Sequence, residues 1–179
     1  MKATKTLVTG GVRSGKSTLA EARCGDFASV TYLTPGYPAD PERDPEWAAR
    51  VAAHRLRRPS SWTTVETIDL AGALRAASEP VLIDCLGTWL TRSLDAWGAW
   101  EKPPADWPRP FEEALRALAE AWAACPYPAI AVTNEVGWGV VSEHRSGRLF
   151  ADLLGRTNQA IAQVSDEVVL VVAGRPISL

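Results

Sequence analysis

The chain has 179 residues, 46% of them hydrophobic, and a formal net charge of −2. That is enough apolar side chain for one α/β domain spanning 1–179, and it excludes a disordered chain. A charge this close to neutral excludes a broad nucleic-acid face, and no apolar run approaches the roughly 20 residues of a membrane-spanning helix.

Lys5 to Thr9 reads as a short strand, and Thr18 onward reads as helix. Between them Gly10, Gly11, Val12, Arg13, Ser14, Gly15, Lys16 and Ser17 fit G-x-x-x-x-G-K-[ST], the phosphate-cradling P-loop. The glycines let successive backbone N–H groups turn toward phosphate oxygens, and the helix N-terminus adds the positive end of its dipole. Lys16 is expected to reach the β- and γ-phosphates of ATP or GTP, and the Ser17 hydroxyl to ligate Mg²⁺. With a strand and loop already filling the first ten residues, no signal peptide is expected. Cys24, Cys85 and Cys125 lack metal-ligand spacing and read as buried thiols in a reducing, cytoplasmic setting.

The first helix is expected over 16–25 and a second strand over 30–34. The Pro- and Gly-rich run 35–41 reads as loop. Asp44-Pro45-Glu46 supplies an N-cap, a first-turn proline and an early acid for a helix ending near Pro59. A strand over 63–66 and a helix over 70–77 follow. The apolar run Val81 to Leu86 predicts a strand buried on both faces, and Thr88 opens a helix that fades near Trp100. Residues 101–110 carry four prolines and read as loop. A helix over 111–124, a strand over 129–134, a helix over 146–164 and a final strand over 168–172 complete the chain. Strands alternating with helices behind a P-loop predict a mainly parallel sheet with helices on both faces, the nucleotide lying at the carboxyl ends of the strands.

Three further places carry chemistry. Asp84 ends a buried strand, where P-loop enzymes hold Mg²⁺ with an acid; the alternative is a helix N-cap. Glu46, Arg50 and His54 are spaced four apart on one helix face, and Arg55, Arg57 and Arg58 follow. Spacing leaves two readings of this helix open. One is a solvated charged face. The other is a nucleophilic histidine beside phosphate-binding arginines, with Arg50 disfavouring the imidazolium. Asn134-Glu135-Val136-Gly137 follows a strand as either an active-site loop or a plain turn. His144 reads as a surface residue. The eight tryptophans read as core or interface residues, with Trp97, Trp100 and Trp107 the candidates for touching a large ligand.

Taken together these residues resemble a known pattern. Val8 through Ser17, Tyr32-Leu33, Arg50 through Pro59, Trp62, Thr64, Glu66 and Leu82 through Leu86 carry the likeness. It extends through Thr133 to Gly137, Gly155-Arg156, Asn158-Gln159 and Val171 to Gly174. The chain resembles the bifunctional adenosylcobinamide kinase/adenosylcobinamide-phosphate guanylyltransferase family of cobalamin biosynthesis. The resemblance implies a RecA-like P-loop NTPase fold and a homotrimer. It implies phosphorylation of adenosylcobinamide with ATP or GTP, then transfer of GMP from GTP through a GMP–histidine at His54. It also implies nucleotide contacts by Pro35, Gly36, Tyr37, Arg55, Leu56, Arg57, Arg58, Glu66 and Asp84. A P-loop kinase of another small alcohol, without guanylyl transfer, is the alternative; a RecA-like nucleic-acid motor would need a basic face the composition does not supply.

Overall fold

In the computed structural model residues 3–103 and 108–179 are described. Among them seven strands form one sheet: β1 (Lys5–Gly10), β2 (Thr31–Thr34), β3 (Thr63–Glu66), β4 (Val81–Asp84), β5 (Ala129–Val132), β6 (Glu167–Val172) and β7 (Arg175–Ser178). The spatial order is β3-β2-β4-β5-β1-β6-β7. Every pairing is parallel except that of β6 with β7. The helices are α1 (Lys16–Arg23), α2 (Pro45–Arg57), α3 (Leu70–Arg75), α4 (Leu86–Trp97), α5 (Pro108–Ala124) and α6 (Arg145–Gln163).

The period of two along each strand divides the core. Leu7, Leu33, Ile83 and Ala131 point to one face and pack with Leu74, Leu90, Leu118, Trp122 and Leu154 from α3 to α6. Their neighbours Val8, Tyr32, Leu82 and Val132 point to the other, where Ala20 and Cys24 of the α1 side close over them. The central strands are therefore buried throughout, because both of their faces are covered. Covering α1 is also tied electrostatically. Arg23 and the Thr6 hydroxyl both donate to the Glu167 carboxylate.

That pairing gives a pH dependence with a definite sign. The hydrogen bond from Arg23, against partial burial, holds the Glu167 carboxyl below the usual glutamate range, helped by the Arg23 charge and by Thr6. A carboxyl depressed in the folded state adds stability that is whole above its unfolded pKa and fades as pH falls through the folded value. Glu167→Gln is expected to lower stability at neutral pH by a few tenths to about 1 kcal/mol, the pair being a third exposed. The gap should close in urea titrations run below about pH 4. A gap of constant size down to pH 3 would contradict this account.

The structure alters three boundaries. The chain does not end its sheet at β6: residues 175–178 return antiparallel as β7 through a two-residue turn at Ala173-Gly174, both with positive φ. Alanine is a weak signal for such a turn, which Asn or Asp usually opens. Helix α5 begins at Pro108, inside the segment expected as loop. Pro108 and Pro110 fall in its first turn, where the missing N–H groups have no intrahelical partner to lose. Leu86 opens α4 rather than closing β4, with Cys85 at the N-cap.

Candidate active site

The P-loop bends because two glycines have no room for a side chain. A Cβ on Gly10 would lie 2.5 Å from the Val171 carbonyl oxygen and 2.7 Å from Ser14 Oγ. Gly15 has φ of 96°, and a Cβ there would come within 3.2 Å of Gly174 Cα. The β6–β7 turn thus buttresses the loop, and Gly174 N–H donates to the Ser14 carbonyl at 2.8 Å. Gly11 stands in open space. Lys16, at the start of α1, folds back so that Nζ donates to the Gly11 carbonyl at 3.1 Å. Burial lowers its pKa, while Cys85 and the Asp84 carboxylate pull it back up.

The Asn134-Glu135 segment has a supporting role. Glu135 N–H donates to the Gly10 carbonyl at 3.2 Å, and Thr9 Oγ1 donates to Glu135 Oε1 at 2.8 Å. Asn158 of α6 donates to that same carboxylate oxygen and to the Asn134 carbonyl. The motif therefore locks the end of β5 to the strand that feeds the P-loop. Its polar residues are used in the lock, and Asn134 alone among 134–139 reaches the cavity wall.

Helix α2 closes the site from outside. Asp44 accepts from Trp47 N–H at 2.9 Å and Pro45 starts the first turn, as the sequence predicts. None of its residues is buried. Polar contacts dock it instead. Arg57 Nε and a terminal nitrogen donate to the two oxygens of Glu21 at 3.0 and 3.2 Å, and Arg55 donates to Glu66 at 2.7 Å. Just past the helix, Arg58 lies 3.4 Å over the Tyr32 ring and donates to Thr64. His54 Nδ1 lies 3.6 Å from Glu21 and 3.7 Å from Asp84. Arg57 is 3.2 Å from the same nitrogen. The cation at the ring is thus Arg57 and not Arg50, which is spent on Glu46 at 2.6 Å. A turn on α2 brings i+3 as close as i−4, so spacing did not discriminate.

Glu21, His54 and Asp84 bring one ligand atom each within 4.8 Å of one another. Arg57 already supplies positive charge to that cluster. Tyr32 donates to Asp84 at 2.8 Å, and burial followed by the Asp84 charge raises the tyrosine pKa far above normal. Asp84 itself is free of capping duty, since Cys85 takes the N-cap with Thr88.

A cavity of about 500 Å³ unites these parts. Val12 to Ser17 line one wall, and His54, Arg55, Arg57, Arg58, Glu66 and Asp84 line the others. The structure does not bring Pro35, Gly36, Tyr37 or Leu56 to it. Arg92 takes the Pro35 and Gly36 carbonyls, Trp47 takes that of Tyr37, and the Tyr37 hydroxyl bonds Asp95. Leu56 is 87% exposed. Gly10 shapes the loop from below. Two buried side-chain polar atoms without a protein partner, Ser14 Oγ and Arg58 Nε, belong to residues that line the cavity. Trp97 packs edge-on to Phe111 and Trp100 bonds Asp95, so both are packing residues; Trp107 lies outside the described residues. His144 is exposed, as expected.

Comparison with known proteins decides between the readings. The cobinamide kinase / cobinamide phosphate guanyltransferase family pattern matches residues 6–179. The chain belongs to that family. The bifunctional adenosylcobalamin biosynthesis protein CobU of Salmonella typhimurium is 41% identical over 177 residues, covering 94% of this chain and 95% of that protein. The Escherichia coli protein of the same name is 42% identical over the same spans, and the CobP protein of Pseudomonas aeruginosa is 36% identical over 178 residues. Among solved structures, an ATPase of a bacterial type III secretion system superposes with a TM-score of 0.59 at 12% identity. It matches 99% of this chain, which spans 57% of that one. The ATPase EscN from enteropathogenic E. coli gives a TM-score of 0.57 at 13% identity, with 43% of its chain spanned. At such identities the likeness concerns the fold alone, that of a RecA-like P-loop NTPase. Among the described residues no helix is long and apolar enough to cross a membrane.

Proposed function

We propose that this chain phosphorylates adenosylcobinamide with ATP or GTP, and then transfers GMP from GTP to the new phosphate through a GMP–His54 intermediate. The reading is carried by one observation: the P-loop and His54 share a single cavity. In the first reaction the substrate hydroxyl attacks the γ-phosphorus, the bond to the β-bridging oxygen breaks, and the nucleoside diphosphate leaves. Lys16 and the P-loop amides neutralise the charge that develops. In the second, His54 attacks the α-phosphorus of GTP and pyrophosphate departs, after which the substrate phosphate displaces the histidine. Two easier displacements replace one difficult one. Arg55, Arg57 and Arg58 suit the phosphates, and Glu66 on β3 is an acceptor placed for base or ribose donors.

Ser17 and Asp84 offer the hard oxygen donors that Mg²⁺ prefers, and Asp84 has no capping duty to perform. These two residues would hold Mg²⁺, which would supply positive charge against the bound phosphates. A single cytoplasmic domain, as expected from the sequence, is supported by three free cysteines and one continuous sheet. The homotrimer is supported by Trp138, Val140 and Val141, apolar side chains exposed in the segment between β5 and α6.

The test is covalent. Incubation with α-³²P-GTP and Mg²⁺ should leave acid-labile, base-stable label on the protein, and mass spectrometry should find one GMP on the peptide bearing His54. A kinase of another alcohol would turn over nucleotide and carry no label.

A further inference from the structure

We infer that Glu21 is a positioning residue for guanylyl transfer, holding the proton of His54 on Nδ1 so that Nε2 keeps the lone pair that attacks the α-phosphorus. The inference rests on the His54 reading above and adds a residue to it. Glu21 is on the second turn of α1, it is not part of the P-loop, and its side chain is 12% exposed.

The geometry supplies three competing partners for Nδ1. Glu21 Oε1 lies 3.6 Å away and Asp84 Oδ2 3.7 Å away, each a few tenths of an ångström beyond a hydrogen bond. Both carboxylates only accept, so both require a proton on Nδ1. The Arg57 nitrogen at 3.2 Å only donates, so it requires the lone pair there and sends the proton to Nε2. With Arg57 engaged, Nε2 carries a hydrogen and cannot attack. A triphosphate offers the guanidinium better acceptors, and Arg57 lines the cavity where those oxygens bind. Once Arg57 turns to them, Nδ1 is left facing carboxylates. Asp84 is the strand-end acid proposed for the metal, which leaves Glu21 for the ring.

The chemical step then balances. The Nε2 lone pair forms the N–P bond, the bond from the α-phosphorus to its bridging oxygen breaks, and the electron pair leaves with pyrophosphate. The proton stays on Nδ1, so positive charge develops across the ring beside the Glu21 carboxylate. This is the role an orienting carboxylate has toward a reacting imidazole.

The experiment uses the full chain and α-³²P-GTP with Mg²⁺. Glu21→Gln is expected to slow label formation at saturating GTP about 10- to 100-fold, the range for losing a carboxylate that orients a histidine. The KM for GTP should change by no more than about twofold, and Glu21→Asp, which keeps the charge, should recover part of the rate. Phosphorus NMR of the labelled protein should place the bond on Nε2. Four results would each overturn the inference: wild-type labelling by Glu21→Gln, a loss confined to KM, an aspartate no faster than the glutamine, or a bond at Nδ1. Label persisting in His54→Ala would instead overturn the reading beneath it.

Discussion

Replacement of His54 by alanine is expected to abolish covalent labelling by α-³²P-GTP while leaving the protein folded. The imidazole is the nucleophile proposed above; Cys85, a thiol on the same cavity wall, has its pKa raised by burial. The substitution costs little stability, because α2 buries no residue and His54 is a third exposed. Its melting temperature should match that of the wild type, since exposed changes stay within about 0.5 kcal/mol. Bound GMP should fall from near stoichiometric to none. Stoichiometric label surviving in the variant would place the nucleophile elsewhere.

Lys16→Ala is expected to separate catalysis from stability in the same way, on the other reaction. In the proposed reaction the ammonium neutralises charge that develops on the transferring phosphoryl group, and loss of one such donor costs about 10²- to 10³-fold in kcat. Folding desolvates this lysine, and the lowered pKa records that penalty. Its one recorded hydrogen bond goes to the Gly11 carbonyl in a loop open to solvent. Removing it should leave the urea midpoint unchanged or slightly raised. Corrinoid phosphorylation at saturating ATP is the assay; retention within tenfold of wild type would remove Lys16 from the chemistry.

Local signals carried most of the fold. The P-loop, the Asp44-Pro45 cap and the continuous apolarity of β4 and β5 each act through neighbours in the chain, so they were legible. Strand β7 was not, because its pairing depends on a turn opened by Ala173, a residue with little intrinsic preference for positive φ. The start of α5 was hidden because prolines break helices everywhere except in the first turn. The cavity wall was legible where one segment supplies it, as at Lys16 and Asp84. It was illegible where two segments meet. Nothing in Glu21 itself marks it, since both residues it faces, His54 and Arg57, lie on a separate helix, α2. The same limit affected Pro35 to Tyr37, whose carbonyls are claimed by Arg92 and Trp47 from separate helices.

The helix that carries the histidine is moored by charges, whereas the glycine loop is held by backbone bonds and packing. Ionic strength acts on these two attachments unequally, because added salt screens exposed ion pairs and barely touches amide–carbonyl contacts. The two half-reactions are therefore expected to part company in concentrated salt: assayed side by side, guanylyl transfer should decline first, at concentrations where phosphorylation and the fold itself persist.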